Sequence, residues 1–448
     1  MKLVYNVNDK PKFSQILIFA FQQLLAILAA TIAVPSIIGN GMSQSAALFG
    51  AGAGTIIYLL FTQFKSPVFL GSSFAFIGSM FAAFAGAVSL EAGYLGLLIG
   101  AVCAGLVYVI LAIIVKIAGV NWIAKLMPAV VIGPTVAIIG LSLAGNAIGD
   151  VLKFAEYDAA NSVYVMGTHG WVGFICGLVT ILVVILCSVY GKKTLKLIPF
   201  IIGILAGYLV ATIFTLIGLK TGNEALQVIN FNVFSNMQWY PDFTFVKALK
   251  AVGEIDAQYI ATVAVAYIPV AFVVFAEHIA DHKNLSSIIE KDLLEEPGLH
   301  RTLLGDGVGS IAGAFFGGCP NTTYGESVGC VAITKNASVA TITTTAIMAI
   351  VISFLSPFVA FLDSIPGCVM GGVCITLYGF IAVSGLKMIQ KVDLEKNANL
   401  FTASVILISG IGGTAMAIGK VTITSIACAL ILGIITNIIL SKKGQNEE

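Results

Sequence analysis

The sequence predicts an all-α polytopic membrane protein of about fourteen transmembrane segments, and three observations carry that prediction. Of 448 residues, 58% are hydrophobic and only 10% are charged, where a soluble domain of this length carries about a quarter charged residues. Apolar runs of about 20 residues, enough to cross a hydrocarbon core, recur from end to end. The basic residues also sort by side. With the N-terminus cytoplasmic, 18 of the 23 fall inside and only Lys153, Lys220, Lys247, Lys250 and Lys420 fall outside, as the positive-inside rule requires.

The segments centre near residues 25, 54, 77, 105, 136, 180, 207, 268, 309, 328, 349, 377, 407 and 430. The first run begins near Phe13 and continues past Ile38 without a small-residue cleavage site, so it reads as a retained span and not a signal peptide. Adding or removing one later span would reverse the following loops and spoil the charge bias. Fourteen spans with both termini cytoplasmic in the cell membrane is therefore the expected topology. The polar stretches 148–169, 219–256 and 283–300 are too short for separate soluble domains.

A net charge of +1 without a basic cluster gives no sign of a nucleic-acid partner. The eight cysteines lie mostly in apolar spans and form no paired CxxC pattern, which fits small core residues and not a metal site. No cofactor is implied, and no nucleophile stands beside a base in a motif that would mark an enzyme.

"MPAVVIGPTVAIIG" from Met127 and "IPGCVMGGVCITLYG" from Ile365 share Pro-x-x-Val-x-Gly and a small-residue helix. They would be spans five and twelve. Seven is an odd number of spans, so the second copy inverts, the plan of many secondary transporters. Span three, "FLGSSFAFIGSM", then corresponds to span ten, "PNTTYGESVGCVAIT"; each has a polar, β-compatible run after Pro67 or Pro320 and then becomes helical. As helix, the stretch from Pro320 to Lys335 would span about 24 Å, short of a ~30 Å core. Six extended residues and ten helical ones would reach about 35 Å. A short strand followed by a half-helix fits better.

Half-helices starting near Phe74 and Gly325 would aim free N–H groups and positive dipole ends into a cavity. Around them the sequence places Glu277 and Asp281 on span eight, Asp306 on span nine and Glu326 on span ten. Each charged acid at the bilayer centre costs about 2.5–3.5 kcal/mol on insertion scales, so four of them point to a functional cavity. The plain alternative is a hydrogen bond to a neighbouring helix, and it weighs most for Asp306. Phe74 is a candidate through its backbone, its ring through packing. Backbone N–H groups donate to carbonyls and carboxylates accept from ring N–H groups. A small, flat, neutral solute bearing both, such as a pyrimidine dione, would satisfy this set. Titrating carboxylates offer a route for proton coupling.

At "GSSFAF" (71–76), "AEHIADH" (276–282), "KDLLEEPGLHRTLLGDG" (291–307) and "PNTTYGESVGCVAITK" (320–335) the chain resembles the nucleobase–ascorbate transporter family. The resemblance covers essentially the whole chain. It implies two inverted seven-span repeats. Residues 1–120 and 257–363 (spans 1–4 and 8–11) would form a core. Residues 121–222 and 364–448 (spans 5–7, then 12–14 with the tail) would form a gate, with 223–256 as the extracellular connection. It further implies proton-coupled, elevator-like import of a nucleobase, uracil in the branch most alike, by a homodimer. Carried over by position, Glu277 and Glu326 would hydrogen-bond the ring, and the backbones of Phe74, Tyr324 and Gly325 would contact it. Glu277, Asp281 and Asp306 would serve the proton. Three positions depart from the family pattern: Asp281 stands where a histidine is familiar, Ser327 where an asparagine is, and Gln22-Gln23 where a Gln-His pair is.

Three rival readings remain. A xanthine or purine permease would keep the family, but Glu326 favours uracil over the Gln-Asn of that branch. An anion carrier would keep the fold, but two pocket carboxylates repel an anion. A metal-binding membrane protein would use His278, Asp281 and His282, an i,i+4 histidine pair with an acid.

Overall fold

Polar residues and glycines punctuate the apolar runs, and the helices begin and end at them. The computed structural model describes residues 3–444 apart from 120, 121, 123–126, 193, 236, 238, 419 and 420. The expected core–gate boundary at 120/121 and the basic residues Lys2, Lys125, Lys193 and Lys420 lie outside the described residues. In chain order the elements that matter are α1 (Phe13–Ile38), α2 (Gln44–Phe61), β1 (Leu70–Ser72), α3 (Ile77–Ala85), α4 (Leu90–Ala118), α5 (Ala129–Ser142) and α6 (Ala144–Val151). The hairpin of β2 (Glu156–Asp158) and β3 (Val163–Val165) precedes α7 (Thr168–Tyr190), α8 (Pro199–Thr221), α9 (Ala257–Ile289) and α10 (Leu299–Gly317). Then come β4 (Asn321–Thr323), α11 (Gly325–Thr334), α12 (Val339–Ile352), α13 (Ser356–Ser364), α14 (Gly367–Ile389), α15 (Asn397–Ile411) and α16 (Ser425–Gly444).

Side-chain caps explain several starts. Ser43 accepts from the Ala46 N–H at 3.2 Å before α2, Ser89 from Ala92 at 3.1 Å before α4, and Asp256 from Tyr259 at 2.7 Å before α9. Gly222 and Gly318 close α8 and α10 in the left-handed conformation, at φ 69° and 75°, where a side chain is disfavoured.

Each of the fourteen expected centres falls within a helix, but the helices are unequal. Among the described residues, eight are long and apolar enough to cross a membrane, counting α5 and α6 together. α12 and α13 pass only as a pair bent by 83°, and α15 and the apolar part of α16 are shorter. α10 and α11, which carry Asp306 and Glu326, are not among the eight. α10 has the length but carries polar residues, and the break at β4 leaves α11 only 10 residues long.

The interior is built on close helix contacts. α2 lies along α10, α4 against α9 and α10, α5 along α14, and α7 along α8. A Cβ on Gly50 would fall 2.6 Å from the Gly313 carbonyl oxygen, and one on Gly54 2.7 Å from that of Gly309. These paired glycines bring the two backbones together as small-xxx-small patterns do in membranes.

The strand parts of the two interrupted segments find each other. β1 and β4 pair antiparallel with Leu70 opposite Thr323, Gly71 opposite Thr322 and Ser72 opposite Asn321. All six residues are buried, so their backbone groups are satisfied within the protein, by the ladder and by side chains beside it, where no water reaches them. The α2–α10 cradle holds the ladder: Asn321 Nδ2 donates to the Gly50 carbonyl at 3.0 Å, Leu70 N–H donates to Thr55 Oγ1 at 2.9 Å, and Ser310 donates to the Asn321 carbonyl. All eight cysteines are free thiols.

Candidate functional site

The ladder aims two helix heads at one place. After β1, a 3-10 turn at Phe74–Phe76 runs into α3; after β4, Tyr324 leads into α11 at Gly325. The first turn of each leaves N–H groups without intrahelical acceptors. Val328 N–H to the Tyr324 carbonyl, at 3.1 Å, is the bond that closes the first turn of α11. Glu326 is therefore the second residue of a short helix, near the positive end of its dipole.

Glu277, in the interior of α9, faces this point. A small cavity of about 50 Å³ is lined by Glu277, Glu326, Gly325, Tyr324, Phe74 and the strand residues Thr322 and Thr323, with Val136, Ile139 and Ile381 opposite. A wider cavity of about 340 Å³ shares Glu277, Gly325, Glu326, Val136 and Ile381, and continues past Asp281, Phe200, Ser384 and Met388. Five of the residues singled out in the sequence, Phe74, Glu277, Tyr324, Gly325 and Glu326, thus meet in one small space. The side chain of Phe74 packs edge-on against Tyr378 at 5.8 Å between ring centroids. The Tyr324 hydroxyl donates to the Ser72 carbonyl at 2.8 Å, crossing from one interrupted segment to the other.

Asp281 borders the wider cavity and accepts from Thr323 Oγ1 at 2.8 Å. Asp306 does not join these acids in either cavity. Its Oδ2 lies 2.8 Å from His278 Nδ1, and both residues are fully buried. The His278 ring reaches Thr302 Oγ1 through Nε2 at 3.0 Å and stacks on His282 at 4.0 Å. His282 Nδ1 donates to the His278 carbonyl at 2.8 Å, and its Nε2 lies 2.7 Å from the Tyr58 hydroxyl, which itself donates to Ser66 Oγ at 2.7 Å. So α9 is polar on two faces: Glu277 and Asp281 toward the cavities, His278 and His282 toward α2 and α10.

That arrangement corrects the metal reading. His278, Asp281 and His282 do not converge, because each is engaged with a different partner. Among the described residues no group of three or more His, Cys, Asp or Glu side chains is arranged to hold an ion.

The comparisons with known proteins agree with this architecture. Residues 14–419 match the model of a permease family, the nucleobase–ascorbate transporters. The chain belongs to that family. It is 37% identical to the uracil permease of Bacillus caldolyticus, covering all of this chain and 97% of the relative. It is 36% identical to that of Bacillus subtilis (strain 168), with the same coverage. To the uracil permease of Escherichia coli (strain K12) it is 34% identical, over 96% of this chain and 92% of the other. These relatives are named permeases, so the protein is a multi-pass membrane permease and not an enzyme. In fold it is similar to the transmembrane domain of the cyanobacterial bicarbonate transporter BicA, with TM-score 0.64, 15% identity, and coverage of 97% of this chain and 100% of that one. The inward-facing murine anion transporter Slc26a9 gives TM-score 0.68 at 11% identity, covering 98% and 69%.

Two residues of the permease that the sequence marked only as departures from the family pattern turn out to meet at the site. Gln23 Nε2 donates to Ser327 Oγ at 2.6 Å, and the same oxygen accepts from the Phe69 N–H at 3.0 Å. Gln23 and Ser327 are both buried. This joins α1, the head of α11 and the approach to β1 around one hydroxyl. The departures at positions 23 and 327, seen separately in the sequence, are two halves of one contact. Val136, Ile139 and Ile381 carried no signal, since aliphatic residues in apolar helices are the background.

Proposed function

We propose that this permease imports uracil together with a proton, with Glu277 and Glu326 binding the ring through its N–H groups. The observation that carries the reading is that these two carboxylates share one cavity with the head of α11. Acceptors and backbone donors thus face the same small volume, the complement of a neutral ring with N–H and C=O groups. The names of the relatives support the substrate.

Spans 1–4 and 8–11 form the moving core and spans 5–7 and 12–14 the gate, in an elevator-type cycle. Fourteen spans in two inverted repeats is the plan behind it. The strand-then-helix order at 70–85 and again at 321–334, with the strands antiparallel, supports that symmetry. The wider cavity runs beside Phe200 and Met388, next to Lys196 and Lys387 on the Lys-rich side. By the positive-inside rule that side is cytoplasmic, so this conformation faces inward, with both termini inside the cell membrane. The gate helices α7 and α8 expose apolar side chains such as Leu182, Leu186, Leu209 and Leu216 to lipid and to a second copy in a homodimer. Asp281 and Asp306 join Glu277 as the groups that handle the proton.

Uptake of labelled uracil into proteoliposomes tests the reading. Accumulation should follow an imposed inward proton gradient and collapse when the gradient is dissipated. Folded protein that takes up no uracil would overturn the substrate, and gradient-independent uptake would overturn the coupling.

A further inference from the structure

We propose that Val136, Ile139 and Ile381 form a rigid size-selecting wall that admits one six-membered ring and excludes a fused two-ring base. The inference rests on the nucleobase reading above and names the residues that limit it.

The polar side of the small cavity is fixed by α9, α11 and the strand ladder. The side facing it is purely aliphatic: Val136 and Ile139 on α5, and Ile381 on α14. Val136 and Ile139 are spaced i,i+3 and so share a helix face. All three side chains are β-branched, which restricts their rotation about χ1 and leaves them poor at yielding to a larger ligand.

Their helices are already in backbone contact and cannot close further. A Cβ on Gly140 would fall 2.3 Å from the Tyr378 carbonyl oxygen, and one on Gly385 would fall 2.3 Å from the Ala137 nitrogen. Backbone therefore touches backbone on both sides of the wall, and the distance from Val136 to Ile381 is set by main chain and not by adaptable side chains.

The wall bounds the smaller of the two spaces. A water requires about 10–15 Å³ of cavity, so the 50 Å³ beside Val136, Ile139 and Ile381 holds only a few waters, about one small ring, while the 340 Å³ cavity that shares Glu277 and Glu326 has room for more. A purine seated with its six-membered ring between Glu277 and Glu326 would press its second ring on Ile381 or Val136. The same two residues border the wider cavity, so they stand where the site opens. Trimming them joins the two spaces.

The test is competition by unlabelled xanthine against labelled-uracil uptake in proteoliposomes, for the natural protein, Ile381→Ala and Val136→Ala. The natural protein should ignore a large excess of xanthine. Each variant should still carry uracil, with a raised KM, and become xanthine-sensitive, with inhibition strengthened by at least the roughly 10–200-fold that one methylene is worth in an apolar pocket. Val136→Ala, on the other helix, supplies the result if Ile381→Ala does not fold. Variants that carry uracil and still ignore xanthine would overturn the wall and leave the uracil reading intact. Natural protein blocked by xanthine as readily as by uracil would also overturn the wall. Natural protein that is folded but takes up no uracil would overturn the nucleobase reading and the wall with it.

Discussion

Thr323 Oγ1 donates to Asp281 Oδ2 at 2.8 Å, so the acid one turn beyond Glu277 is tied to the strand that leads to Glu326. The bond makes α9 and β4 one unit on the side where the cavities open. It also gives Asp281, at a position where the family resemblance expects histidine, a structural partner besides any role with protons.

The two functions of Asp281 separate by mutation. Asp281→Asn retains a carbonyl that accepts from Thr323 but cannot ionise, and should keep uracil binding while losing accumulation driven by a proton gradient. Thr323→Val removes the donor and leaves the acid. Losing a hydrogen bond within the protein costs about 0.5–1.5 kcal/mol net, so the KM for uracil should rise by up to roughly 10-fold. Uptake measured with and without an imposed proton gradient separates the two variants, and gradient-driven accumulation by Asp281→Asn would deny Asp281 a role with the proton.

Glu277→Gln and Glu326→Gln each replace an acceptor by a group that is half donor. Each should lower uracil uptake by about 10–100-fold, the equivalent of one charge-assisted hydrogen bond. The thermal unfolding midpoint in detergent should stay close to that of the natural protein. Uptake unchanged in both variants would remove the carboxylates from the site.

The buried His278–Asp306 pair calls for a stability measurement. His278→Ala leaves the Asp306 carboxyl group in the packed interior without its imidazole, and an unsatisfied buried polar group costs about 1–3 kcal/mol. A clear fall in the unfolding midpoint is expected. Asp306→Asn, which still offers an oxygen to the ring, should lose less. If Asp306→Asn unfolds like the natural protein but no longer couples uptake to the gradient, the pair handles protons as well as holding α9 to α10.

Gly71→Ala tests the contact between the interrupted segments. An added Cβ would sit 2.3 Å from the Tyr324 ring, and overpacking of this kind costs about 1–3 kcal/mol. The ring would move off the ladder, weaken the hydroxyl bond to the Ser72 carbonyl, and shift the backbone of Gly325. Uracil KM should rise while the amount of inserted protein changes little, as measured by uptake kinetics normalised to purified transporter.

What the sequence revealed and what it hid follow from range. Pro320 to Lys335 is too short for a spanning helix and begins with β-compatible residues, so the strand and half-helix around Glu326 were legible from local length and composition. The i,i+4 spacing of Glu277 and Asp281 likewise placed them toward one side of α9. The partner of Asp306 was not legible, because it depends on how α9 and α10 cross. The same holds for Gln23 and Ser327, which lie on helices far apart in the chain. Strand pairing gave no signal either: three-residue strands carry almost no pattern, and their register is set by the α2–α10 cradle.

That three-rung ladder constrains insertions and deletions more than it constrains side chains. In a strand, a shift of one residue turns every side chain to the opposite face. One extra residue between Pro67 and Leu70, or between Gly318 and Asn321, would take Thr323 away from Asp281 or Leu70 away from Thr55. Two distant stretches of the chain must therefore keep their lengths in step, while substitutions at the aliphatic positions across the cavity remain open to change.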